Sequence, residues 1–116
     1  MKLFELARAR DLSGNSEAIA TIGFVMGRLG RRDEARAGLE QLKQRAATGY
    51  VPPYAFAMVH NALGEYDEAL EWLERGIEQR DPKMTFLKVA FQWKNLHADP
   101  RFQHLLARIN LWPDTV

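Results

Sequence analysis

The sequence contains no cysteine, which excludes disulfide bonds, thiolate metal sites and a cysteine nucleophile. It also has no long apolar run: its uninterrupted apolar stretches extend over a few residues, whereas a membrane-spanning helix needs roughly 20. The first five residues, Met1 to Glu5, place an acidic side chain where a secretory signal has its apolar stretch. We therefore expect neither a membrane anchor nor a secretory signal, and a cytoplasmic location is the default expectation.

An excess of one charge is missing as well. The 16 Lys and Arg residues are balanced by 15 Asp and Glu, which leaves a net charge of +1. Proteins that bind nucleic acid or membrane surfaces usually carry a clear positive excess, so we expect neither as a partner. The contents of 47% hydrophobic and 27% charged residues are those of an ordinary globular protein. A chain of 116 residues is long enough for one compact domain.

Sequence signatures of catalysis are also absent. The sequence has no Gly-x-Ser-x-Gly turn, no glycine-rich phosphate loop and no His-Glu-x-x-His motif. Its three histidines are His60, His97 and His104, and Asp67 and Asp99 are conceivable further ligands. Zinc sites normally take three or four ligands at tight spacing, and these residues do not have that spacing. We therefore expect no enzymatic activity, no metal and no cofactor.

What the sequence does contain is a repeat of 34 residues. The segment from Leu29 to Ala35 recurs from Leu63 to Ala69, and eight of 34 positions are identical between residues 16–49 and residues 50–83. The identities are concentrated on one turn and on the segments beside it. A repeat of this length is typical of architectures built from stacked supersecondary units.

Each copy of the repeat predicts a helical hairpin. Gly30 and Gly64 are expected to end the first helix, because glycine adopts the left-handed conformation of a C-terminal cap without strain. Acidic pairs follow each glycine and favour the start of a second helix. Apolar residues spaced three and four apart give each helix one buried stripe. The stripes are Ile19, Ile22, Met26 and Leu29; Ala35, Leu39, Leu42 and Ala46; Phe56, Val59 and Leu63; and Ala69, Leu73 and Ile77.

The flanking segments predict further helices. Residues 1–15 are similar to the second helix of a truncated preceding hairpin. A helix is expected from Met84 to about Trp93, and a last helix after Asp99, which can act as its N-cap, with Pro100 in the first turn. We thus predict one domain, with repeats over residues 16–49 and 50–83 and a pair of capping helices over residues 84–116.

At these positions the sequence resembles the tetratricopeptide repeat family, whose pattern combines small residues, a glycine, an alanine and a large apolar residue. The matching residues are Gly23, Gly30, Ala35 and Leu39 in the first copy and Ala57, Gly64, Ala69, Leu73 and Gly76 in the second. The departures are Leu42 at a small-residue position and Ile19 and Pro53 at a tryptophan-like position. The resemblance implies an all-α, right-handed array of antiparallel helical hairpins.

The segment from Phe86 to Gln103 also looks like the end of tetratricopeptide regions at the C-termini of bacterial multidomain regulators. There such regions follow cyclase, kinase or winged-helix domains. The resemblance implies a non-catalytic module that binds a protein or peptide, and the alternative is a regulatory or sensory region of a bacterial signalling or transcription system. Binding of RNA on Trp72, Trp93 and Trp112 is a weaker alternative, because the cations are interleaved with acids.

In this family the first helices line a concave groove. Phe24 is two residues from Ile22 and from Met26, so it points about 200° away from that stripe. Met58 has the same relation to Phe56 one repeat later. The groove predicted in this way is formed by Phe24, Arg28, Tyr54, Met58 and Asn61, with Lys88 at its edge. Either a partner binds there or the C-terminal helices of the same chain cover it.

Overall fold

The computed structural model describes residues 16–110, and within that range the chain is all-helical and has no strand. The helices are α1 (Ser16–Arg28), α2 (Arg32–Thr48), α3 (Pro53–Ala62) and α4 (Tyr66–Glu78), then two short 3₁₀ helices (Pro82–Phe86 and Phe91–Leu96), and α5 (Pro100–Asn110). The helix predicted for residues 1–15 and the end of the predicted capping segment lie outside the described residues.

The turns that end α1 and α3 have the same geometry. Gly30 and Gly64 both have φ of 80°, in the left-handed region. The backbone N–H of Arg31 donates to the carbonyl of Met26 at 2.8 Å, and that of Glu65 donates to the carbonyl of His60 at 3.0 Å. These bonds satisfy carbonyl groups that the last helical turn leaves free. The glycine caps predicted from the repeat are therefore confirmed.

The 34-residue period extends to the beginning of three helices. Helix α2 begins at Arg32, α4 at Tyr66 and α5 at Pro100, each 34 residues after the previous one. At the start of α5 the side chain of Asp99 accepts a hydrogen bond from the backbone N–H of Arg101 at 2.8 Å. This is the N-cap that the sequence predicts, with Pro100 as the first helical residue.

Two hairpins pack side by side through their first helices. α1 packs on α2 and α3 on α4, and three-residue turns make each pair antiparallel. α1 and α3 approach closely at two glycines of α1. A Cβ atom on Gly23 would lie 2.9 Å from Cγ2 of Val59, and one on Gly27 would lie 2.7 Å from Cβ of Ala62. This close approach joins both hairpins into one hydrophobic core.

The α-helix predicted from Met84 to about Trp93 is wrong. The chain instead forms the two 3₁₀ helices, with extended backbone at Ala90 between them. The buried residues of this segment are three apart, Met84 with Leu87 and Trp93 with Leu96, which matches three residues per turn. The predicted pair of capping helices is therefore one 3₁₀ segment followed by α5.

Candidate functional site

Most of the predicted groove is buried in this structure. Phe24, Tyr54, Met58 and Asn61 expose between 4% and 7% of their surface. Of the two arrangements considered for the groove, the structure has its inner part covered by the chain's own 3₁₀ segment.

Tyr54 is covered by Trp93. The indole Nε1 donates a hydrogen bond to the Tyr54 hydroxyl at 2.8 Å, and the two rings meet edge to face with centroids 5.4 Å apart. Trp93 is completely buried. Burial raises the pKa of Tyr54, because the charged phenolate is disfavoured away from water. Tyr54 therefore serves as the base on which the 3₁₀ segment is seated.

Asn61 is also committed within the chain. Its Nδ2 donates to the backbone carbonyl of Gln92 at 2.8 Å, and its Oδ1 accepts from Nδ2 of Asn95 at 2.9 Å. The sequence predicts a polar contact from Asn61 to a ligand. In the structure that contact is made to the chain's own segment.

An apolar cleft remains open where α1 meets the second 3₁₀ helix. Its volume is about 340 Å³, and its floor is formed by Phe24 and Met58. Around the floor stand three exposed apolar side chains: Val25 is 42% exposed, Leu29 65% and Phe91 76%. The ring of Phe91 meets that of Phe24 edge to face at 6.3 Å. These five residues, with Arg28, define the apolar cleft.

The two predicted cations are in different places. The Arg28 guanidinium lies 5.6 Å from the centre of the Phe24 ring and lines the cleft. Lys88 is exposed in the turn between the 3₁₀ helices and does not line the cleft. The cleft thus brings together Phe24, Arg28 and Met58 of the six predicted residues.

Three residues of the cleft were missed from the sequence. Leu29 was assigned to the buried stripe of α1, and its exposure contradicts that assignment. Val25 is the repeat equivalent of Val59, which is fully buried against Gly23. Val59 belongs to the second described hairpin, which α1 covers, whereas Val25 belongs to the first. The position of Phe91 depends on the 3₁₀ segment, and no local pattern announces it.

Two other openings are bridged by ion pairs. One, of about 190 Å³, lies on the other side of Met58, where Lys83 pairs with Glu17 at 3.0 Å. The other, of about 440 Å³, lies between α4 and α5, where Arg101 pairs with Asp67 at 2.6 Å. Salt-bridged charges at the edge of such openings serve first as links between helices.

The tryptophans within the described residues are engaged in packing. Trp93 is buried as described, and Trp72 stacks on Phe56 at 4.2 Å with the Arg75 guanidinium 4.5 Å from its ring centre. Trp112 lies outside the described residues. Neither described indole presents an open face on which a nucleic-acid base could stack.

Glu65 forms a charged link between the two hairpins. Its carboxylate contacts Nδ1 of His60 at 2.9 Å and accepts a hydrogen bond from the guanidinium of Arg36 on α2. Arg32 donates to the backbone carbonyl of Leu63 in the same turn at 2.9 Å. Partial burial disfavours the charged form of Glu65, but the hydrogen bonds from His60 and Arg36 outweigh it and hold the pKa below its ordinary value of 4.5.

We expect Glu65→Gln to lower the free energy of unfolding by about 1 kcal/mol at pH 7. A depressed folded pKa stabilises the fold above the unfolded value, and that stability is lost as pH falls through the folded pKa. The difference between wild type and variant should therefore be constant above about pH 5 and vanish in stronger acid. Urea unfolding at a series of pH values measures this. Glu68→Gln, on the exposed side of α4, is the control that should show no such dependence.

Within residues 16–110, no group of three or more His, Asp or Glu side chains is placed to hold a metal ion. None of the helices in that range combines the length and the apolar character that a membrane crossing requires. No protein-family model, no curated protein and no solved structure matches the chain.

Proposed function

We propose that this chain is a non-catalytic interaction module that binds another polypeptide at the apolar cleft. The observation that carries the proposal is the exposure of Val25, Leu29 and Phe91 around a floor of Phe24 and Met58. Single exposed apolar side chains are common, but a contiguous group at a concavity is typical of an interaction site.

The energetics favour a cover over this cleft. Complete burial of an apolar side chain of the size of Leu or Phe stabilises by roughly 1.5–3 kcal/mol. Leu29 and Phe91 still expose most of their surface, so a partner that covers both gains most of that free energy twice. Aromatic and Arg side chains also tend to dominate binding energy, and the cleft offers Phe91 and Arg28 in those roles.

We infer further that the helices form a right-handed, tetratricopeptide-like array. The equal starts of α2, α4 and α5 and the identical glycine turns support this arrangement. In such an array the inner groove would lie beneath the 3₁₀ segment, and the apolar cleft would be its open edge. The packed state of Trp72 and Trp93 favours a polypeptide partner over RNA.

The test compares Leu29→Ser with Phe91→Ser, combined in one chain, against wild type. The immobilised wild-type protein captures partners from the source cell, and the most enriched one is purified and titrated by calorimetry. We expect the double variant to bind it about 2 kcal/mol more weakly, close to 30-fold in Kd, with an unchanged helical circular dichroism signal.

Val89→Ser is the matched control, because Val89 has the same 76% exposure as Phe91 but lies outside the cleft. It should bind as the wild type does. If the double variant captured the same proteins with the same affinity as Val89→Ser, the cleft would not be the binding surface and the proposal would be wrong.

A further inference from the structure

The charges around the apolar cleft are unbalanced, although the chain as a whole is nearly neutral. The two segments that form its sides are α1 and residues 82–99. Their acids are Glu17 and Asp99, and both are already paired, with Lys83 and Arg101 respectively. Helix α3, beneath the cleft, has no Asp, Glu, Lys or Arg.

The remaining charges of these two segments are all positive. They belong to Arg28, Lys88 and Lys94, which are exposed and have no acidic partner in an ion pair among residues 16–110. Lys94 follows Phe91 by three residues in a 3₁₀ helix, where side chains at that spacing lie above one another. Lys94 is therefore on the same exposed face as Phe91, and Arg28 is held at the cleft by the Phe24 ring.

We propose that the partner segment is an amphipathic helix with an apolar stripe flanked by Asp and Glu residues. This rests on the proposed function of the cleft. The stripe would cover Leu29 and Phe91, and the acids would pair with Arg28 and Lys94. A helix suits this surface better than an extended peptide does, because it satisfies its own backbone hydrogen bonds. Residues 16–110 offer no strand edge that could satisfy those of an extended chain.

The experiment uses the full chain and three synthetic helical peptides of about 18 residues, roughly 27 Å long. All three share one leucine stripe, and their flanking positions are Glu, Gln or Lys. Fluorescence anisotropy at low salt should give an affinity for the Glu peptide at least about 10-fold higher than for the Lys peptide. The difference should shrink in high salt, because exposed charges are then screened.

Arg28→Gln with Lys94→Gln should remove most of the preference for Glu and leave binding of the Gln peptide unchanged. Arg31→Gln with Lys43→Gln is the matched control. It removes the same charge from cations that pair with acids of their own helix, so it should keep the preference. Leu29→Ser with Phe91→Ser should weaken binding of all three peptides.

Several results would overturn the inference. Equal affinity for the Glu and Lys peptides would remove the acidic partner while the apolar cleft still stood as a binding surface. If no peptide bound but a captured partner still depended on Leu29 and Phe91, the helix would be wrong and the proposed function would hold. Binding to phosphatidylglycerol vesicles that the Arg28 and Lys94 variant loses would point to a membrane instead. Self-association lost in the Leu29 and Phe91 variant would point to a second copy.

Discussion

Replacing Trp93 with alanine should destabilise the protein by about 3–5 kcal/mol, the range for truncating a buried aromatic side chain. Trp93 is completely buried, packs edge to face on Tyr54 and donates to its hydroxyl at 2.8 Å. The substitution leaves a cavity beneath the 3₁₀ segment and removes the donor that holds the buried Tyr54 hydroxyl. The loss should appear in urea unfolding followed by far-ultraviolet circular dichroism.

Two variants separate this effect from a general sensitivity of the segment. Trp93→Phe keeps a ring against Tyr54 but loses the N–H group, so it should cost clearly less than Trp93→Ala. Phe91→Ser, two residues away on the exposed side, should change stability by no more than about 0.5 kcal/mol. If Trp93→Ala were as stable as Phe91→Ser, the segment would not be part of the core, and the groove beneath it would be open to a partner.

The sequence predicts well those features that short-range chemistry decides. A glycine with positive φ ends α1 and α3, and Asp99 caps α5, because each requirement is met within a few residues. The pairing of helices into hairpins follows for the same reason, since a three-residue turn leaves the next helix little choice but to pack back. These parts of the fold could be predicted without any knowledge of the rest of the chain.

The 3₁₀ segment could not be predicted in this way. Its conformation is fixed by partners far away in sequence: Trp93 bonds to Tyr54, and Gln92 to Asn61. Met84 adds a third, because a Cβ atom on Gly76 would lie 2.0 Å from its Cε atom. Such contacts override the helical tendency of residues 84–93. The cleft depends on the segment, so only Phe24, Arg28 and Met58 were found in advance.

Leu73→Ala should cost roughly 2–5 kcal/mol, and Leu39→Ala should cost a similar amount. The two leucines occupy equivalent positions 34 residues apart, and both are buried in one core that α1 and α3 join. Stability in stacked helical units comes largely from the interface between neighbours. Each substitution should therefore weaken both hairpins together rather than melt the hairpin that carries it.

Two probes test this cooperativity. Circular dichroism reports on all helices, whereas tryptophan fluorescence reports on Trp72 and Trp93, which lie after the first hairpin, and on Trp112. In a two-state transition both signals change at the same urea concentration. Leu39→Ala should therefore shift the fluorescence midpoint as far as the dichroism midpoint. A fluorescence midpoint that stayed at the wild-type value would mean that the hairpins unfold separately, and a loss under about 1 kcal/mol for Leu73→Ala would place the core elsewhere.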